Sequence, residues 1–263
     1  MENKKIGLVL SGGGHRAAAH AGALKAMEEH GIFPDIISGT GAGALVGALY
    51  AANHSPDDIL AAFKEVEIFN FARHDPNFQN IIDTDLFCDM LQGYLPEDSF
   101  EALDKKVLVT TTDLLHGCVK VFEEGPLIKV LLASISFPGL FQPVDLDNSL
   151  YIDGCILDNF PVEPIHGKCD VIYGVYVSPV AKMEFSDFKH TYTILDRAFQ
   201  LPMNRNAKEK FPLCDVLIYP HQLGNHSLFD AQHLNTIFEI GYKTTLQELK
   251  RRKAQINFLK MKS

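Results

Sequence analysis

Residues 5–16 read KIGLVLSGGGHR and residues 36–50 read IISGTGAGALVGALY. In the first, Lys5-Ile6-Gly7-Leu8-Val9-Leu10 is a compact apolar run stopped by Ser11 and three glycines. Such a run predicts a strand buried on both faces, not an amphipathic edge strand. From Arg16 to His30 the residues become Ala-rich helix formers, with Ala17, Ala21, Leu24 and Met27 near one face and Gly31 as a stop. Pro34-Asp35-Ile36-Ile37 predicts a second strand. A glycine turn follows at Gly39–Gly43, then a helix from Ala44 to about Asn53. Strand, glycine turn and helix, repeated, predict a mostly parallel α/β sheet.

Further along, Ser55–Phe100 is polar and acidic, an expected insertion with helices at Pro56–Val66 and Thr84–Gly93. Strands are expected at Lys106–Thr112, at Val119–Glu123 (a hairpin across His116-Gly117), at Ser149–Ile152, at Val171–Val177 and at Val216–Tyr219. Pro126–Ser134 reads as a short helix with Pro in its first turn. A long amphipathic helix is expected from about Asp230 to Arg252. No repeat or linker interrupts the 263 residues, which predicts one domain over 1–263.

Composition narrows the function classes. The formal net charge is −9, with 24 Lys+Arg against 33 Asp+Glu, which argues against a nucleic-acid partner and a broadly cationic membrane face. The apolar runs stop well short of the 18 or more residues of a bilayer span. The start of the chain lacks a signal-peptide pattern, so a cytoplasmic location is expected. Five cysteines without a CxxC pair give no zinc or disulfide framework, and no metal or organic cofactor is indicated.

Two of the turns fall where open α/β sheets hold their ligands, beyond the carboxyl ends of strands. Gly12, Gly13 and Gly14 can expose backbone N–H groups in one direction, and the following helix adds its positive end. That suits a phosphate or an oxyanion. Gly39-Thr40-Gly41-Ala42-Gly43 has the frame of a nucleophile elbow, G-x-S-x-G, but its central position is Gly41. Tyr151-Ile152-Asp153-Gly154 ends a strand in an acid that can serve as a general base. A dinucleotide site is disfavoured, because Ala17 stands at the third glycine of that fingerprint and Ser38-Gly39, not an acid, ends the second strand.

Together GLVLSGGGHRAAAHAGAL, DIISGTGAGALVGALY, SFPGLFQPV and YIDGCILDNFPV resemble the patatin-like phospholipases, in order and over most of the chain. The resemblance implies a three-layer α/β/α sandwich, a Ser-Asp dyad and hydrolysis of a lipid acyl ester through an acyl-enzyme. It implies Gly12, Gly13, Gly14 and Arg16 as the oxyanion motif, with the Ala42 amide as a further donor. It implies Gly39, Ala42 and Gly43 as the elbow frame, position 41 as the nucleophile slot and Asp153 as the base. The implied partner is a lipid or acyl-ester substrate. The chain departs from the pattern at Ala17, at Cys155 and, decisively, at Gly41. Removing an attacking oxygen lowers turnover by about 10⁶ in a subtilisin-type comparison, so the chain as written is expected to be inactive.

Two histories fit Gly41: an engineered replacement, or a natural non-catalytic acyl binder. Retention of Asp153 and the glycine loop favours the first. Thr40, Ser38 and Ser11 are poor substitutes for the missing hydroxyl, and His15 and His20 are not needed by a dyad. Phe137, Leu140 and Phe141 fit an acyl groove and core packing equally well. Ile68–Phe71 and Phe78 offer a lid, with core packing the stronger reading. Lys250-Arg251-Arg252-Lys253, with Lys260 and Lys262, offers a local contact with anionic lipid. A solvated helix end is the simpler reading of that cluster.

Overall fold

The computed structural model describes residues 4–65, 84–188, 191–228 and 230–260. Its centre is an eight-stranded sheet: β1 (Ile6–Leu10), β2 (Ile36–Thr40), β3 (Lys106–Asp113), β4 (Cys118–Phe122), β5 (Val144–Leu146), β6 (Ser149–Asp153), β7 (Val171–Val175) and β8 (Val216–Ile218). The order is β5-β6-β3-β2-β1-β7-β8, with β4 also on β3. β3, β2, β1, β7 and β8 run parallel, while β4, β5 and β6 are joined by antiparallel pairs.

Alternation along β1 divides the core. Leu8 and Leu10 belong to one apolar cluster, Val9 to the other. On the first face lie α1 (Ala18–Glu28), α2 (Ala42–Ala51), α3 (Pro56–Glu65), α5 (Leu127–Ile135) and α7 (Leu234–Lys260), all contributing to the larger cluster. On the second, Phe160, Val162, Ile165 and Ala207 cover Val9, Ile36, Leu108 and Ile172. Ala207 belongs to α6 (Thr191–Lys210). Both faces of the sheet are covered, as the expected sandwich requires.

The register of β3 places the site. Thr110 pairs with Thr40 of β2 on one edge and with Val121 of β4 on the other. The next residue, Thr111, pairs with Lys120 of β4 and with Asp153. β6 therefore takes over the edge of β3 where β2 leaves it, and Asp153 occupies the position just beyond Thr40. Residues far apart in sequence become ladder neighbours.

Several boundaries differ from expectation. The second strand runs on to Thr40, because β1 and β3 hydrogen-bond it on both sides. The first helix opens with a 3₁₀ turn at Gly14–Ala17, and the last begins only at Leu234 after a 3₁₀ turn at Ala231–His233. The insertion supplies α3 and α4 (Thr84–Tyr94); the lid expected at Ile68–Phe71 and Phe78 lies outside the described residues. β5 and α6 were not foreseen.

Candidate active site

Position 41 is the bend between β2 and α2. Gly41 has φ +57° and ψ −131°, a backbone that side chains disfavour by about 1–3 kcal/mol. The flanking glycines impose this bend. A β-carbon at Gly43 would run into the Ser11 and Leu10 carbonyl oxygens, and one at Gly39 would lie 2.7 Å from the Ala44 Cα. Helix and strands thus touch backbone to backbone. The Gly41 amide donates to Ser134 Oγ (2.8 Å), which donates in turn to the Thr110 carbonyl (2.8 Å). Ser134 escaped the sequence reading. Its role depends on α5 packing over the elbow, and one serine in an apolar helix carries no signal of that.

A β-carbon placed on Gly41 would point at an acid. It would lie 3.2 Å from Asp153 Oδ1, 3.6 Å from Oδ2 and 3.5 Å from the Gly12 Cα. Asp153 is 8% exposed, and burial pushes its carboxyl up to about 7. The Cys155 amide donates to Oδ1 at 2.9 Å. Burial, with the Asp153 charge beside it, holds the Cys155 thiol well above its ordinary value, so it stays protonated.

The glycine loop closes the other side. Ser178 Oγ donates to the Gly12 carbonyl (2.7 Å), and the Val177 amide donates to Ser11 Oγ (2.9 Å). The buried His20 ring donates through Nε2 to the Ser11 carbonyl (2.8 Å); burial lowers its pKa to about 4 and keeps it neutral. Loop amides divide into two groups. Those of His15 and Arg16 bond to the Leu228 and Gly13 carbonyls, whereas those of Gly13 and Gly14 have no acceptor among the described residues. The Arg16 side chain lines the cleft, but Nε donates to the His226 carbonyl (2.8 Å) and Nη1 to the Pro179 carbonyl (3.3 Å).

The cleft between these pieces has a polar end at Gly12–Gly14, Asp153 and Asn159, and an apolar wall of Ile135, Phe137, Leu140, Phe141, Met203 and Leu228. Of the two readings of the 136–144 segment, the groove lining holds for Phe137, Leu140 and Phe141, and Leu140 and Phe141 are core residues as well. Ala42 opens α2 and also faces the cleft. The substitute hydroxyls point elsewhere: Thr40 donates to the Asp158 carbonyl and Ser38 to the Pro161 carbonyl. Met203 of α6 and Tyr176, the residue after β7, line the cleft through contacts that only the folded chain makes, and Asn159, inside the YIDGCILDNFPV stretch, was given no role there. The basic Lys250–Lys253 run does not line the cleft, and Lys262 lies outside the described residues.

The convergence of elbow, acid and glycine loop is accompanied by a sequence-profile match to patatin-like phospholipase over residues 8–166. The chain belongs to the patatin-like phospholipase family. It is 31% identical over 180 residues to the lysophospholipase NTE1 of Meyerozyma guilliermondii, covering 64% of this chain and 12% of that protein. With an uncharacterized NTE family protein of Mycobacterium tuberculosis (strain ATCC 25618 / H37Rv) it shares 32% identity over 165 residues, 62% of this chain and 46% of that one. The chain therefore spans under half the length of these relatives. Among solved structures, VipD from Legionella pneumophila superposes with a TM-score of 0.57 at 14% identity, covering 95% of this chain and 67% of VipD. Human GIVD cytosolic phospholipase A2 superposes with a TM-score of 0.52 at 11% identity, covering 96% and 59%. At these identities the likeness shows the shared fold. Among the described residues no helix is long and apolar enough to cross a membrane.

Proposed function

We propose that this chain carries the site of a lipid acyl-ester hydrolase whose attacking oxygen is missing, so that it binds an acyl ester without turning it over. The observation that carries this reading is the β-carbon vector at position 41, aimed at the Asp153 carboxylate with the glycine loop beside it. A serine there would present Oγ to Asp153. Oγ attacks the ester carbonyl, its proton passes to Asp153, and the oxyanion takes N–H groups from the Gly12–Gly14 loop and Ala42. Collapse expels the alcohol, which takes the proton. Water, activated by the same carboxylate, then frees the acid and regenerates the hydroxyl. Arg16 braces the loop through the His226 and Pro179 carbonyls, and its charge faces those dipoles.

The apolar wall suits an acyl chain, and the lysophospholipase relatives make a monoacyl phospholipid the first substrate to test. Phe185, 97% exposed, and Ile194, Leu195 and Leu201 stand out on and near α6, whose Gln200 and Met203 line the cleft. This rim, not the basic end of α7, is where we place transient contact with a lipid surface. The test is Gly41→Ser with release of fatty acid from monoacyl phosphatidylcholine. Expected is a gain of about 10⁶ over the present chain, removed again by Asp153→Asn in the same background. A folded Gly41→Ser protein that releases no acid and takes up no acyl-phosphonate label overturns the reading.

A further inference from the structure

Away from the elbow, His226, Asp230 and His233 gather at the entrance to α7. Asp230 Oδ2 lies 2.8 Å from His226 Nδ1, and Oδ1 lies 2.7 Å from His233 Nδ1. The three donor atoms all fall within 4.8 Å of one another. The spacing H-x₃-D-x₂-H places both rings on one carboxylate because the chain turns once through Ala231–His233 before the helix begins. A cation with bonds of about 2.0–2.2 Å needs ligand atoms roughly 3–3.5 Å apart, so donors as far as 4.8 Å apart must close by about 1–2 Å, a movement open to the exposed His233 side chain. Two imidazole nitrogens and one carboxylate oxygen form a donor set suited to zinc and its first-row neighbours, not to magnesium or calcium. His226 and Asp230 are each 15% exposed at the side chain and His233 is 55% exposed. Two ligands are thus held by the fold, and one side stays open for a water.

The same strip of chain supports the glycine loop. His226 gives its carbonyl to Arg16 Nε, and Leu228 gives its carbonyl to the His15 amide (2.8 Å). Leu228 packs so closely on Gly14 that a β-carbon there would strike its carbonyl oxygen, and the Leu228 side chain lines the cleft. We propose that His226, Asp230 and His233 form a zinc site that ties His226 to the start of α7 and, through the His226 and Leu228 carbonyls, fixes the glycine loop. The proposal does not depend on the hydrolase reading, because it concerns only where the cation binds and what its binding orders.

The probe is zinc chloride added to the metal-free chain, followed by calorimetry and by amide hydrogen exchange. Expected is one equivalent of zinc, with affinity lowered more than about tenfold both in His233→Ala and in Asp230→Asn, since even partners one shell further out affect zinc affinity by about 10–100-fold. Because His233 is largely exposed, its variant should fold whatever happens to Asp230→Asn. Zinc should also slow exchange of the His15 amide in the parent chain and leave it unchanged in the variants. Cobalt(II) in place of zinc should give a nitrogen–oxygen spectrum without thiolate charge transfer, which separates this cluster from the exposed Cys118. No binding, or binding indifferent to both substitutions, overturns the site. Binding that leaves the His15 amide exchange unaltered overturns the link to the glycine loop.

Discussion

Asp153 is an acid kept in a place that favours its neutral form, and Asp153→Asn reads out the consequence. The folded chain holds this carboxyl at about 7 against an ordinary 3.8, with burial as the leading cause. The folded state therefore binds this proton more tightly than the unfolded state. Stability contributed by the proton is complete below about pH 4 and is lost as pH rises through 7. At 1.36 kcal/mol per pH unit the loss approaches roughly 4 kcal/mol above pH 7. Asparagine is neutral throughout and keeps an oxygen to accept the Cys155 amide, so it escapes that penalty. Urea unfolding of both proteins at pH 4.5, 6 and 8 gives the difference, and every other titrating group, His20 included, cancels. Asp153→Asn should be within about 1 kcal/mol of the parent at pH 4.5 and more stable by about 2–4 kcal/mol at pH 8, with unchanged slope against urea. No gain at pH 8, or a gain equal at all three values, would refute the reasoning that burial dominates this site.

Gly14→Ala should destabilise by about 2–4 kcal/mol, since φ is +53° and the added carbon collides with the Leu228 carbonyl. Gly31→Ala, at φ +70° with open space around it, should lose only about 1–2 kcal/mol. Equal losses in the two melts would show that the Leu228 contact is soft. Ser134→Ala strips the Gly41 amide and the Thr110 carbonyl of their shared partner and should cost about 1–3 kcal/mol in chemical denaturation; an unchanged midpoint would remove Ser134 from the support of the elbow.

What was legible in the sequence were the elements whose constraints are local. Gly39 and Gly43 are required by backbone contacts within a few residues of the turn or with the adjoining strand, so their spacing announces the bend. The apolar run at Ile6–Leu10 announces a strand covered on both faces. α6 was illegible for the opposite reason. Pro202 sits inside it, most of its surface is exposed, and its cleft-facing residues, Gln200 and Met203, find their neighbours only in the fold. β5 is three residues long and exists as the partner of β6. Arg16 was expected as part of the oxyanion motif, with no partner assigned to its guanidinium. Nothing near it in sequence reveals that the 179 and 226 carbonyls arrive to occupy its Nε and Nη1.

Position 41 also separates architecture from chemistry. Glycine has no need of φ +57° and ψ −131°, yet it is held there. The bend is therefore imposed by the contacts at Gly39 and Gly43 and by the Ser134 hydroxyl, not by the residue in the slot. A serine would take on strain of about 1–3 kcal/mol, and its hydroxyl would return about 1.5–3 kcal/mol by donating to a buried carboxylate. The same bond would favour the ionised acid and draw its pKa down from about 7 toward the range in which it works as a base at neutral pH. Without the hydroxyl the chain retains the expensive half of the pair, a buried acid facing an empty direction. On the proposed reading, a serine-to-glycine change at position 41 should leave stability nearly even while abolishing turnover, because the strain relieved and the hydrogen bond forgone are of similar size. That near-balance explains how the elbow, the acid and the glycine loop stay in register around a position that has no side chain.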